Sequence, residues 1–219
     1  MLSMIRNNLI FSEGRIILIV LLAGALCGFF LFRPLFYVAV GLLLFCFYFF
    51  RNPERVHEEA LHDSTLLLSP ADGRVVDIQC DPNSGLEGYA YKISIFLSVF
   101  NVHVNRMPCT GVIEEIKYKK GVFVPAYVPK SSELNERNDI IIRRDDGSSL
   151  VVRQIAGIIA RRIRCWVRQG SLIPVGSRYG MIKFGSRVDI FLPACVDLSI
   201  VKGQRVYGGS TVIGRWICK

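Results

Sequence analysis

Between Ile16 and Phe50 the sequence has almost no charge: Arg33 is the one charged residue in 35 positions. So uncharged a stretch excludes a solvated surface there and points to lipid. Histidine is scarce, with three in 219 residues, which leaves few candidates for acid–base work near neutral pH. CxxC spacing is missing although there are seven cysteines, Cys27, Cys46, Cys80, Cys109, Cys165, Cys195 and Cys218. Neither a zinc site nor a disulfide framework is therefore indicated, and reduced thiols acting as small apolar residues are expected. The serine hydrolase pattern GxSxG, the P-loop and GxGxxG are all absent. After Arg51 no long stretch repeats apolar residues at helical spacing between caps, which argues against long helices there.

What is present divides in two. The composition, 51% hydrophobic with a net charge of +9, excludes a disordered chain. From Arg51 onward stand 24 of the 27 Lys+Arg and 17 of the 18 Asp+Glu. Residues 1–50 read as a membrane anchor, and residues 51–219 as one domain long enough to bury its own core. The anchor has two apolar runs, Ile16–Phe32 and Leu35–Phe50, which predict a transmembrane helical hairpin turning at Arg33-Pro34. Arg6 and Arg15 precede it and Arg51 and Arg55 follow it. By the positive-inside rule both ends, and the domain, face the cytoplasm.

The domain reads as mainly β, a compact sandwich or barrel-like fold with few short helices. Short alternating segments predict strands at Gly73–Ile78, Tyr91–Leu97, Gly111–Tyr118, Asp139–Arg143, Leu150–Ala156, Arg161–Val167, Met181–Leu192 and Val212–Ile217. Asp145-Asp146-Gly147-Ser148 predicts a hairpin turn. A short helix is expected near Ser131–Asn138, and the polar stretch Glu54–Ser64, with His57 and His62, as a solvated linker. Along Arg161–Arg168, Arg162, Arg164, Trp166 and Arg168 alternate with Ile163, Cys165 and Val167. That basic face is either solvated or rests on anionic lipid. No nucleic-acid motif accompanies it, so nucleic acid is not expected as a partner.

Three segments carry candidate chemistry. His103 sits in an apolar strand and shares a face with Asn105. Asp72 belongs to the tight loop Ser69-Pro70-Ala71-Asp72-Gly73, and Ser210 to the glycine-rich turn Gly208-Gly209-Ser210-Thr211. Taken singly, each is equally a core histidine, an Asp-Gly turn or a plain turn before a last strand. A non-catalytic β adaptor on a hairpin anchor also accommodates all three.

In order, the segments Ser-Pro-Ala-Asp-Gly-Arg-Val (69–75), Phe-Leu-Ser-Val-Phe-Asn-Val-His-Val-Asn-Arg (96–106) and Asn-Glu-Arg-Asn (135–138) are followed by Arg-Gln-Ile-Ala-Gly (153–157), Ala-Arg-Arg-Ile (160–163), Phe-Gly-Ser-Arg-Val-Asp (184–189) and Gly-Gly-Ser-Thr (208–211). From about Arg51 to the C terminus this resembles the phosphatidylserine decarboxylases, in particular their short, membrane-anchored bacterial subtype. The resemblance implies a proenzyme that cuts itself between Gly209 and Ser210, giving chains 1–209 and 210–219 that stay together as a heterodimer. It implies that Ser210 becomes a pyruvoyl cofactor, which forms a Schiff base with phosphatidylserine on the way to phosphatidylethanolamine, with no metal required. It casts His103 as the base and Asp72 as its orienting carboxylate, the division of labour of a Ser-His-Asp triad. Glu133, Arg137 and Asn138 are candidates for lining the headgroup site, and Val122, Phe123, Val124 and Tyr127 for admitting acyl chains. The implied location is the inner (cell) membrane, among membrane lipids, with the catalytic domain on the cytoplasmic side. Two departures stand out: Arg106 occupies a position where larger family members commonly have a second histidine, and Gly208 one where they more often have leucine.

Overall fold

The structure is a computed structural model that describes residues 11–55, 57–80, 88–121, 135–157, 162–183 and 186–217. The chain divides into two units, one through Glu54 and one from Arg55.

The first unit is a pair of helices, α1 (Phe11–Leu31) and α2 (Arg33–Phe49). The stretch Glu13–Leu31 has a mean hydropathy of 2.4 and is long and apolar enough to cross a membrane, while the 17-residue α2 is shorter. The break falls at Phe32, whose backbone is extended. Arg33-Pro34, expected to form the turn, instead opens α2. Proline costs little there, because first-turn N–H groups have no intrahelical acceptor. The two helices touch through small residues. A Cβ on Gly28 would lie 2.4 Å from the Phe36 nitrogen, and one on Gly14 would lie 2.5 Å from the Phe50 ring.

The second unit is mainly β. Its largest sheet has eight strands, all neighbours antiparallel, in the order β13 (Arg205–Val206), β2 (Gly73–Cys80), β3 (Tyr91–Leu97), β11 (Ser186–Leu192), β7 (Ser149–Ala156), β6 (Arg137–Arg143), β5 (Gly111–Lys119) and β9 (Leu172–Ile173). A three-stranded sheet runs β4 (Val104–Arg106), β10 (Arg178–Ile182), β8 (Ile163–Cys165). Another runs β1 (Leu66–Leu68), β14 (Val212–Trp216), β12 (Val196–Leu198). The sheets are open rather than closed into a barrel.

Strand alternation sorts the large sheet into two chemistries. Val75, Ile95 and Val188 are in register and point into the main core, which also holds Tyr179, Ile213 and Trp216. The opposite face carries a row in register across five strands: Asp77, Ser94, Asp189, Arg153 and Asp139. Arg153 forms a two-pronged ion pair with Asp139 (2.7 and 2.8 Å), and Arg187 forms one with Asp189 (2.7 and 2.8 Å). All four side chains are buried.

Several expectations change. The strand expected over Met181–Leu192 is two strands, β10 and β11, in different sheets. Both are buried nearly throughout, polar residues included, so no exposed face marks a break between them. Arg137 and Asn138 open β6 rather than ending a helix, and residues 131–134 lie outside the described residues. The short helix is instead α3 (Glu58–His62), within the expected linker. His57 caps it, its Nδ1 accepting the Ala60 N–H at 3.3 Å. The Asp145–Ser148 turn is present, with Gly147 at φ +81°. Ile217, expected to end the last strand, lies past β14 and is exposed, pointing away from the buried Trp216. Cys27, Cys46, Cys80, Cys109 and Cys165 are free thiols, but Cys195 is disulfide-bonded, against the expectation of reduced cysteines. Cys195 sits just before β12, and its carbonyl accepts the Ile217 N–H at 2.9 Å, so it lies beside the end of the chain.

Candidate active site

The loop Ser69–Asp72 joins β1 to β2 and is sealed from solvent. Its backbone grips two other segments. The Ser69 carbonyl accepts the Gly209 N–H at 2.8 Å and the Ser69 N–H donates to the Thr211 carbonyl at 2.8 Å, while the Pro70 carbonyl accepts the Arg106 N–H at 2.9 Å. The Ser69 hydroxyl donates to the Ala71 carbonyl at 2.8 Å and shapes the bend. This loop thus brings Asp72, β4 and the Gly208–Thr211 turn together.

Asp72 spends both carboxylate oxygens here. Oδ1 accepts the Gly208 N–H at 2.8 Å. Arg55 binds the carboxylate two-pronged, Nη2 to Oδ2 at 2.8 Å and Nη1 to Oδ1. The same Arg55 Nη1 donates to the Gly208 carbonyl at 2.9 Å. One ion pair therefore holds the Gly208 residue by its N–H and by its C=O. Bidentate, charge-assisted bonds are the strong and directional ones.

The turn that follows is tied to itself. The Tyr207 carbonyl accepts the N–H groups of Ser210 (3.1 Å) and Thr211 (2.9 Å), and the Thr211 hydroxyl accepts the Tyr207 N–H at 2.9 Å. Gly209 has φ +72°, a left-handed backbone that favours glycine. A Cβ at Gly209 would also lie 2.6 Å from Cδ of Arg106. Arg106 is nearly buried, and its Nη1 donates to the Gly176 carbonyl at 2.9 Å. Burial above all, then the neighbouring Arg55 and Arg178 guanidiniums, pull Arg106 down to about 10, with Asp72 opposing them. It remains cationic at neutral pH.

His103 is fully buried, one residue before β4. Its Nδ1 is 2.9 Å from the Asn101 carbonyl, which can only accept, so Nδ1 carries the proton and Nε2 is the basic nitrogen. The Asn101 side-chain oxygen accepts both the N–H and the hydroxyl of Ser98, at 2.9 and 2.8 Å, which steadies that segment. Asp72 thus reaches the Gly208–Ser210 turn through Gly208. Arg106, from the strand His103 leads into, lies against Gly209, and Asp72 is bonded to Arg55 and Gly208 rather than to His103.

Behind β4 runs a chain of buried amides. Asn138 Nδ2 donates to Gln154 Oε1 at 3.0 Å, and Gln154 Nε2 donates to Asn105 Oδ1 at 2.8 Å. Asn105 Nδ2 has no partner among the described residues. Asn138 therefore lies inside a strand rather than on a surface loop, with Arg137 beside it at the start of β6. Glu133, Val122, Phe123, Val124 and Tyr127 fall outside the described residues. On the β8 segment Arg162, Arg164, Trp166 and Arg168 are exposed and alternate with half-buried Ile163, Cys165 and Val167. A cleft of about 190 Å³ beside the turn is lined by Arg55, His57, Leu68, Val175 and Gly176 among others. A larger one, about 530 Å³, lies elsewhere, between α3 and the β6–β7 hairpin.

Sequence reasoning gave no site role to three residues. Arg55 reads as a basic flank of the anchor, and nothing local marks it as the partner of a carboxylate 17 residues on. Arg106 is visible only as the place of an absent histidine. Gln154 stands inside a recognised segment, but its link to Asn105 depends on tertiary packing.

The sequence model for phosphatidylserine decarboxylase matches residues 42–214. A phosphatidylserine decarboxylase proenzyme of Carboxydothermus hydrogenoformans is 48% identical over 194 residues, covering 88% of this chain and 87% of its own length. That of Salinibacter ruber is 47% identical, covering 83% and 80%, and that of Granulibacter bethesdensis is 46% identical, covering 87% and 79%. The matched stretch contains the loop, the buried histidine and the glycine–serine turn described above, and on these grounds the chain belongs to the phosphatidylserine decarboxylase family.

Proposed function

We propose that this chain is a self-processing proenzyme that converts phosphatidylserine to phosphatidylethanolamine, with a pyruvoyl group made from its own Ser210. The observation that carries the reading is the Gly208–Ser210 turn: a left-handed glycine precedes a serine, and the peptide before it is gripped by Asp72 and Arg55.

Self-cleavage starts when the Ser210 hydroxyl oxygen attacks the Gly209 carbonyl carbon. The C–N bond then breaks, and the hydroxyl proton ends on the Ser210 nitrogen, leaving an ester. Loss of the Ser210 α-proton and departure of the Gly209 carboxylate give dehydroalanine. Water hydrolyses it to the pyruvoyl end and ammonia. A serine hydroxyl needs a base near neutral pH, and the basic Nε2 of buried His103 suits that task. Glycine before the bond leaves the carbonyl open to attack.

The residues present fit such a group. Ser210 stands two residues before β14, which lies between β1 and β12, so the new N-terminus would be carried on a strand paired on both sides. A pyruvoyl carbonyl there supplies an electron sink for the pair left by CO2. The chain's own part is to place the substrate amine at Ser210 and to return a proton to the α-carbon, for which His103 is the candidate. Glu133, Arg137 and Asn138 remain candidates for the headgroup. The apolar anchor and the Arg6, Arg15, Arg51 and Arg55 flanks support a reading in which the enzyme is held in the cell membrane with its β domain on the cytoplasmic side.

The test is an intact-mass spectrum of the purified full chain, with turnover of phosphatidylserine in mixed micelles. Two species are expected, one ending at Gly209 and one beginning with a pyruvoyl group. Ser210→Ala should stay uncut and inactive. An uncut Ser210→Ala protein that still made phosphatidylethanolamine would sink the reading.

A further inference from the structure

The Asp72 carboxylate, which the triad analogy would put on a histidine, is bound two-pronged by Arg55. The position where larger family members carry a second histidine is Arg106, and its stem closes over the Gly209 α-carbon. Two arginines thus lie against the residues before the bond to be cut, Arg55 on Gly208 and the Arg106 stem on Gly209.

Backbone groups around that bond are held one by one. Asp72 accepts the Gly208 N–H and Arg55 donates to the Gly208 carbonyl. Ser69 accepts the Gly209 N–H and Tyr207 accepts the Ser210 N–H. The Gly209 carbonyl oxygen, the atom that becomes negative when Ser210 attacks, receives no backbone donor among the described residues. The Arg106 stem lies against Gly209 while its Nη1 donates to the Gly176 carbonyl at 2.9 Å, so a buried cation sits at this turn with a task that appears only as the charge develops. Donors matched to the transition state rather than the ground state are those that accelerate a step.

We infer that Arg55 and Arg106 form a cationic clamp for self-cleavage, in which Arg55 is a positioning residue acting through Asp72 and the Gly208 carbonyl, and Arg106 stabilises the negative charge on the Gly209 carbonyl oxygen. The step is the acyl shift of the proposed function, and the inference rests on that reading. It adds no reactant: the Oγ–C bond forms, the C–N bond breaks, and the proton passes from oxygen to nitrogen. Neither guanidinium gains or loses a proton.

The test separates charge from packing. Full-length chain is synthesised in a cell-free system with nanodiscs, and the folded fraction is isolated. The uncut fraction is then followed by intact mass over time. Arg106→Met keeps a stem over Gly209 without charge, and Arg106→Lys keeps both. Arg106→Met is expected to slow cleavage about 10²–10³-fold, the range for loss of one transition-state donor. Arg106→Lys should stay within about tenfold of wild type, as a cation in the same place still meets the oxyanion. Arg55→Ala should slow cleavage, and guanidinium added to the medium should restore part of the rate, which a merely structural residue would not show. Cleavage of Arg106→Met at the wild-type rate, or equal loss in the Met and Lys variants, overturns the role of Arg106. An Arg55→Ala protein that cuts normally, or that guanidinium leaves unchanged, overturns the role of Arg55. Wild-type protein that never cuts, like the Ser210→Ala control, would instead remove the proposed function itself.

Discussion

Gly209 is constrained in two independent ways, and the two can be pulled apart. Its φ of +72° charges any side chain a left-handed penalty of roughly 1–2 kcal/mol. Its α-carbon also lies under Arg106, where a Cβ would come 2.6 Å from Cδ. Gly147 shares only the first constraint, with φ +81° and open space around it. Gly147→Ala should therefore lower stability by about 1 kcal/mol and leave cleavage intact. Gly209→Ala should block or strongly slow cleavage, because relieving the contact moves Arg106 off the bond. Melting temperature and intact mass of both variants check this, and normal processing of Gly209→Ala would mean that the close approach has no part in the reaction. At this scale Ser210, Gly209, Asp72 and His103 could be picked out as candidates because they stand in contiguous, recognisable segments. Arg55 was not, because a carboxylate partner 17 residues away is chosen by folding, and a lone arginine after an apolar run reads equally well as a membrane flank.

Among the elements, those with a clean two-residue rhythm were the easiest to read. Tyr91–Leu97 is a strand with the bounds its alternation predicts. The β10–β11 boundary was hidden because both strands are buried on both faces, and Lys183 and Gly185 between them read equally well as a bend within one strand. The buried charges of β11 and β7 were likewise visible as residues but not as a row, since register across strands appears only in the folded sheet. That row bears on stability. Arg153 and Asp139 are each under a tenth exposed and joined by two hydrogen bonds of 2.7 and 2.8 Å. Removing one partner of such a pair strands the other charge, at a cost of about 3–5 kcal/mol. Arg153→Met should therefore destabilise the domain by that amount, and Arg153→Met with Asp139→Leu should recover most of it. Denaturant melts of the single and double variants decide this; a single variant as stable as wild type would show that the pair contributes little.

For the molecule as a whole, the proposed cut falls in a place where the fold tolerates it. Severing the chain after Gly209 frees a ten-residue piece beginning at Ser210, and such a short peptide would ordinarily be lost. Here it contains β14, hydrogen-bonded to β1 on one side and β12 on the other. Ile213 and Trp216 are buried in the main core. The Arg144 guanidinium lies 4.3 Å from the centre of the Trp216 ring and also donates to the Ser64 carbonyl at 3.0 Å. This ties the piece to the hairpin of the large sheet and to the segment before β1. An aromatic side chain of that size removes enough surface from water to contribute several kcal/mol by itself. The two pieces of the mature enzyme should therefore travel together through size exclusion in detergent and separate only on unfolding. The run is made in reductant, so that the disulfide at Cys195 has no part in the outcome. Trp216→Ala should release the small piece, and activity should fall with it, because the reactive end is carried on that piece. Recovery of residues 1–209 alone from native wild-type protein would show that β14 does not hold the cut chain, and the reactive group would then need another means of staying in place.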